Sequence, residues 1–91
     1  MKNKLELALV IPVFNEEQVI KTVIKKWLKT IKKINSKIII INDGSTDKTK
    51  KIIESMLTKR IILINKKNSG HGPSITYGYN EALKLKPKYI F

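Results

Sequence analysis

Ninety-one residues suffice for one small domain, which on folding buries only about 60 to 65% of the surface its unfolded chain exposes, so its stability is marginal. A hydrophobic fraction of 42% beside 29% charged residues excludes a disordered chain, the absence of cysteine excludes disulfides and thiolate metal sites, and no apolar run reaches the ~18 residues of a membrane span. The net charge of +12 attracts phosphates in principle, but Arg60 is the only arginine and the lysines are scattered over helices and loops, so the charge reads as a solvated surface, with a membrane-facing patch as the alternative and nucleic acid disfavoured.

Met1, Lys2, Asn3 and Lys4 precede an apolar stretch, yet Glu6 interrupts it and Pro12-Val13-Phe14-Asn15 follow in place of a small-residue cleavage site. No signal peptide is read, and the expected location is cytoplasmic, peripheral to the membrane face if the lysines meet one. The stretch itself predicts a first strand near 5–11. Val19, Ile20, Val23, Ile24, Trp27, Leu28 and Ile31 then recur at helical spacing with lysines opposite, which predicts a helix near 16–34. Four consecutive isoleucines, Ile38 to Ile41, read as a strand covered on both faces, near 37–42. Ser45, Thr46 and Asp47 offer cap oxygens for a second helix near 47–58, whose inner residues are Ile52, Ile53, Met56 and Leu57. A third strand is predicted near 61–65. Pro73 suits a first helical position and opens a third helix near 73–85 with Ile75, Gly78, Tyr79, Ala82 and Leu83 inward, and Pro87 stops it. Lys88 to Phe91 begin a fourth strand, expected to be too short to pair the edge of the first.

Alternating strands and amphipathic helices predict an α/β fold, a Rossmann-like parallel sheet with flanking helices and the first strand central. In such sheets ligands bind beyond the carboxyl ends of the strands. The segments found there are Pro12 to Glu17, Asn42 to Asp47 and Asn65 to Gly72. Phe14 offers a flat apolar face for a base, Asp43 an acceptor for a base N–H, and Glu16 an acceptor for ribose hydroxyls. Gly70-His71-Gly72 before a helix offers N–H groups and a cation for a diphosphate. Each has a plainer alternative. Phe14 also suits packing under a loop, Glu16 and Glu17 suit a first helical turn, Asp43-Gly44 suits a turn, and His71 an exposed loop. Neither a dinucleotide fingerprint after the first strand nor a Walker A lysine is present.

Together, Val10-Ile11-Pro12-Val13-Phe14-Asn15-Glu16-Glu17, then Ile41-Asn42-Asp43-Gly44-Ser45-Thr46-Asp47-Lys48-Thr49, then Asn65 to Tyr79 resemble in order and spacing the N-terminal signatures of inverting family 2 glycosyltransferases. The resemblance covers essentially the whole chain. It implies the nucleotide-binding part of a GT-A fold, which passes a sugar from a nucleoside diphosphate sugar to an acceptor hydroxyl or phosphate. It further implies Pro12, Phe14, Asn15, Glu16, Asp43, Ser45, Asp47, Gly70, His71 and Gly72 as the nucleotide-sugar contacts, with Asp47 equally suited to capping a helix. His71 stands where many relatives carry lysine or leucine.

In that family the fourth strand runs into an Asp-x-Asp motif that holds Mg²⁺ or Mn²⁺, and a further carboxylate serves as catalytic base. This chain reaches Ile90-Phe91 on that strand, and after Asp47 its acidic residues are Glu54 and Glu81 alone. The resemblance therefore implies a fold truncated at the fourth strand, without catalytic or metal-binding residues of its own. Two readings follow: the nucleotide-binding part of a glycosyltransferase, or a non-catalytic fragment. A nucleotidyltransferase calls for a basic glycine-rich loop after the first strand, which is absent. Around Gly70 to Tyr79 the sequence is most similar to polyprenyl-phosphate sugar transferases, including dolichyl-phosphate mannose synthases, which implies a polyprenyl phosphate acceptor.

Overall fold

The computed structural model describes residues 4–91; Met1, Lys2 and Asn3, the start of the segment read for a leader, lie outside the described residues. Four parallel strands, β1 (Leu7–Val13), β2 (Ser36–Asp43), β3 (Ile61–Lys66) and β4 (Tyr89–Ile90), form one sheet in the order β3-β2-β1-β4. Helix α1 (Ile20–Thr30), α2 (Thr49–Glu54) and α3 (His71–Lys84) connect them. The isoleucine run of β2 is buried on both faces, Ile38 and Ile40 within a core with Ile20, Ile24, Ile31 and Ile53, and Ile39 and Ile41 within another with Ala8 and Ala82. Thus α1 and α2 cover one face and α3 the other, and the continuous apolar pattern is the direct consequence of that three-layer arrangement.

Each of the first three strands extends past its predicted end, through Val13, Asp43 and Lys66. Backbone pairing with a parallel neighbour carries the polar residues Asn42 and Asp43 inside the sheet, in register with Asn65 and Lys66. Helices α1 and α2 are shorter than their periodicity predicts. Asn15 sits at φ 49, in the left-handed region, so the chain enters α1 through a turn in which the Glu16 carbonyl accepts from both Val19 N (3.0 Å) and Ile20 N (2.8 Å). At its far end, Ile34 N donates to Ile31 O (2.9 Å) in a turn tightened beyond the helical pattern. Helix α2 stops early because Met56 N reaches back only to Ile53 O (2.9 Å) and the Ser55 hydroxyl takes the Ile52 carbonyl (2.7 Å).

Arg60 is consumed by this frame. Its guanidinium donates to the Ile31 carbonyl (2.7 Å), to those of Lys32 (3.3 Å) and Ile34, and to Ser36 Oγ, satisfying the carbonyls left open where α1 ends.

Helix α3 differs from expectation in two respects. It begins at His71 behind Gly70 (φ 100), so Pro73 is the third helical residue, where an N–H has no intrahelical acceptor in any case. Its buried face is Ser74, Gly78 and Ala82, whereas Ile75, Tyr79 and Leu83 are 43%, 48% and 48% exposed. A Cβ on Gly78 would lie 2.4 Å from Val10 Cγ1 and 3.1 Å from Ile41 Cγ1, so the helix approaches the sheet too closely for large side chains.

The fourth strand also corrects the expectation of an unpaired edge. Tyr89 N donates to Glu6 O (2.8 Å), Phe91 N to Ala8 O (2.9 Å), and Val10 N to Phe91 O (2.9 Å), while the Phe91 ring lies 5.9 Å from that of Trp27. Ala8 and Val10 thus turn their backbone groups toward β4. Pro12, next on that side, has no N–H to give.

Candidate functional site

The carboxyl ends of β1, β2 and β3 converge on a hollow of about 260 Å³ lined by Pro12, Val13, Phe14, Glu16, Asp43, Asn68, Gly70, His71 and Ser74. Six of the ten residues singled out in the sequence, Pro12, Phe14, Glu16, Asp43, Gly70 and His71, meet there. Phe14 is 45% exposed, so its ring is not spent on packing under the loop and can take a base on its face. A larger hollow of about 710 Å³ lies at the other end of the sheet, lined by Lys4, Leu5, Glu6, Lys33, Asn35, Lys86, Pro87 and Lys88. It offers no aromatic ring and no helix N-terminus; the smaller one has the chemistry of a nucleotide site.

Asp43 is the centre of the smaller hollow. It ends β2 and is buried, and Gly44 at φ 71 turns the chain away. A Cβ on Gly44 would lie 2.7 Å from Asn68 N, so glycine is required there twice over, by conformation and by space. The Asp43 Oδ1 accepts from Lys66 Nζ (3.0 Å) and Ser69 N (2.8 Å), and Oδ2 from Gly70 N (2.9 Å). Burial pushes the carboxyl's pKa up, but the Ser69 N–H, the Lys66 ammonium and the Gly70 N–H outweigh it and hold the value at about 2. At neutral pH Asp43 is a fixed, ionised acceptor, and Oδ2 keeps a lone-pair direction that no hydrogen bond among the described residues uses.

The loop side chains nearest to it do different work. Asn15 Oδ1 accepts from Thr46 N (2.7 Å) and Asp47 N (3.3 Å), and Asn15 N donates to Ser45 Oγ (2.9 Å). Asp47 Oδ1 accepts from Thr49 N (2.9 Å), the first residue of α2, from one position ahead of the N-cap Lys48, while its Oδ2 takes Glu17 N (3.3 Å). Burial raises the Asp47 pKa and the hydrogen bonds from Thr49 and Glu17 more than reverse it, so this carboxyl too is held below its ordinary value. Buried Thr49 closes the circuit by accepting Glu16 N (2.8 Å). Asn15, Ser45 and Asp47 therefore clamp the first loop to the second and set the position from which Phe14 and Glu16 face the hollow. Gly72 lies in the first turn of α3, outside the lining.

Gly70 N is already given to Asp43, so an anion at the N-terminus of α3 has the His71 and Gly72 N–H groups to use rather than the whole glycine turn. Reasoning from the sequence missed Lys66, Asn68 and Ser74. For Lys66 a signal existed: Ile41-Asn42-Asp43 and Ile64-Asn65-Lys66 repeat one pattern, and equal positions at the ends of parallel neighbours pair, here through Asn42 Nδ2 to Asn65 Oδ1 (2.9 Å) and the Asp43–Lys66 ion pair.

The residues present do not fit a divalent metal. Among the described residues no group of three or more His, Asp or Glu is placed to hold one, and the Asp43 and Asp47 carboxylates are already bonded to loop donors. No described helix is long and apolar enough to cross a membrane.

Comparison with known proteins bears on this geometry. The family model for glycosyl transferase family 2 matches residues 8–85. An uncharacterized protein of Methanocaldococcus jannaschii is 40% identical over 86 residues, covering 89% of this chain and 36% of that protein. The undecaprenyl-phosphate 4-deoxy-4-formamido-L-arabinose transferase of Proteus mirabilis is 29% identical over 85% of this chain and 26% of its own length. A prophage bactoprenol glucosyl transferase homolog of Escherichia coli is 31% identical over 86% of this chain and 27% of its own. The chain spans about a third or less of the length of these curated relatives.

Proposed function

The chain belongs to glycosyl transferase family 2, and from that premise we propose that its crevice holds the nucleotide of a nucleoside diphosphate sugar for transfer of the sugar to an acceptor. The carrying observation is Asp43: ionised, immobilised by Ser69, Gly70 and Lys66, and facing a hollow walled by an exposed Phe14 ring. A base stacked on Phe14 gives an N–H to Asp43 Oδ2. Glu16 serves the ribose, and the His71 and Gly72 N–H groups face the diphosphate at the start of α3. The names of the Proteus and Escherichia relatives support a polyprenyl phosphate as acceptor, and in this proposal the complete reaction runs at a cytoplasmic membrane face with Mg²⁺ or Mn²⁺ held by other residues. A second reading, nucleotide binding without transfer by these 91 residues, is favoured by the absence of a metal-holding group among the described residues.

Calorimetric titration of UDP and GDP into the chain tests the site. We expect Asp43→Asn to weaken the preferred nucleotide about 10- to 100-fold, since one oxygen becomes a donor aimed at N–H groups. Phe14→Ala is the control that leaves the Asp43 bonds in place; unchanged affinity in both variants would refute the assignment.

A further inference from the structure

The face that α3 presses on the sheet is made of small residues, and Ser74 alone among Ser74, Gly78 and Ala82 carries a polar side chain. Ser74 is 0% exposed and its Oγ has no hydrogen-bond partner among the described residues. A helical serine usually resolves this by bonding the carbonyl four residues back. Here that carbonyl, on Gly70, takes the Ser74 backbone N–H at 3.2 Å, and the hydroxyl makes no bond to it. Alanine at this position would fill nearly the same space, favour the helix more and leave nothing unpaired. An orphaned buried hydroxyl where alanine serves the fold better calls for another explanation.

Position supplies one. Ser74 borders the nucleotide hollow together with Asp43, Phe14, Gly70 and His71. The turn that leads to Ser74 has open space beside it: a Cβ on Gly72 would meet nothing within 4 Å, and one on Gly70 only Pro73 Cδ at 3.8 Å. Gly70 also ties this turn to Asp43 Oδ2, so the unpaired hydroxyl and the spare acceptor belong to one wall of the hollow.

We propose that Ser74 is a base-contacting residue, giving its O–H to the carbonyl or ring nitrogen adjacent to the base N–H that Asp43 accepts, as His71 and Gly72 shift to admit the base while Gly70 stays bonded to Asp43. The proposal rests on the nucleotide reading and deepens it: the two residues recognise a polar base edge in which a donor neighbours an acceptor. The hydroxyl has already lost its water in the free chain, so no further desolvation of the protein opposes the new bond.

Ser74→Ala separates this role from a structural one. The nucleotide-free variant should melt at an unchanged or higher temperature, because an unpaired buried hydroxyl has been removed. Its dissociation constants for UDP and GDP should rise about 2- to 13-fold, the value of one neutral hydrogen bond. Inorganic pyrophosphate, which has no base, should bind wild type and variant alike. Wild-type nucleotide affinity in the variant, or an equal loss for pyrophosphate, would overturn the contact while leaving the nucleotide reading intact. Failure of the wild-type chain to bind either nucleotide would overturn that reading, and the Ser74 contact with it.

Discussion

Asp43 shows how one carboxylate serves fold and site together. Its pKa of about 2 lies below the ordinary 3.8, so as pH falls the unfolded chain takes up the proton first. The stability this group contributes is whole above about pH 4 and is lost as pH falls through 2. Urea midpoints measured between pH 5 and 2 should therefore drop more steeply for the wild type than for Asp43→Asn; parallel curves would mean that the loop donors do not hold the carboxylate. The sequence made Asp43 legible as an acceptor at the end of a buried strand. It did not reveal Ser69 and Gly70 as its partners, because a loop's backbone donors carry no residue-type signature. Arg60 illustrates the converse: a residue weighed for its charge turns out to be occupied by the carbonyls at the end of α1.

At the scale of elements, strands were read more accurately than helix faces. Apolar runs between turn signals located β1, β2 and β3 to within a few residues, whereas on α3 the bulky Ile75, Tyr79 and Leu83 were assigned inward beside Gly78 and Ala82, of which only the two small residues are buried. The spacing Ser74, Gly78, Ala82 held the opposite message: small residues four apart permit an approach that large ones forbid. Gly78→Ala tests it. Alanine should improve the helix by up to ~1 kcal/mol. Its methyl, however, meets Val10, which is stiff because it is β-branched, and overpacking of this kind costs about 1 to 3 kcal/mol. The expected outcome is a lower urea midpoint; an unchanged or higher one would show that α3 can lift off the sheet freely.

On the scale of the whole molecule, what the sequence disclosed was the succession of three polar segments at one edge of a parallel sheet, and the fold brings six of the ten candidate residues into one hollow. The clamp formed by Asn15, Ser45 and Asp47 was hidden because ligand-binding and loop-locking residues are drawn from the same polar types. On the second of the two proposed readings, nucleotide binding without transfer, the 91-residue chain releases no nucleoside diphosphate from UDP-glucose or GDP-mannose when given undecaprenyl phosphate and Mg²⁺ or Mn²⁺. Release above a protein-free control would refute this.

Pro12 also marks where the backbone ladder on this side of β1 breaks. It follows Ala8 and Val10 on the side turned toward β4 and has no N–H, so any backbone lying beside it finds a carbonyl acceptor and no donor. The residue whose ring borders the hollow is therefore also a gap in the sheet's hydrogen bonding, and at the rim of the crevice β1 offers an apolar ring where another residue would offer an amide.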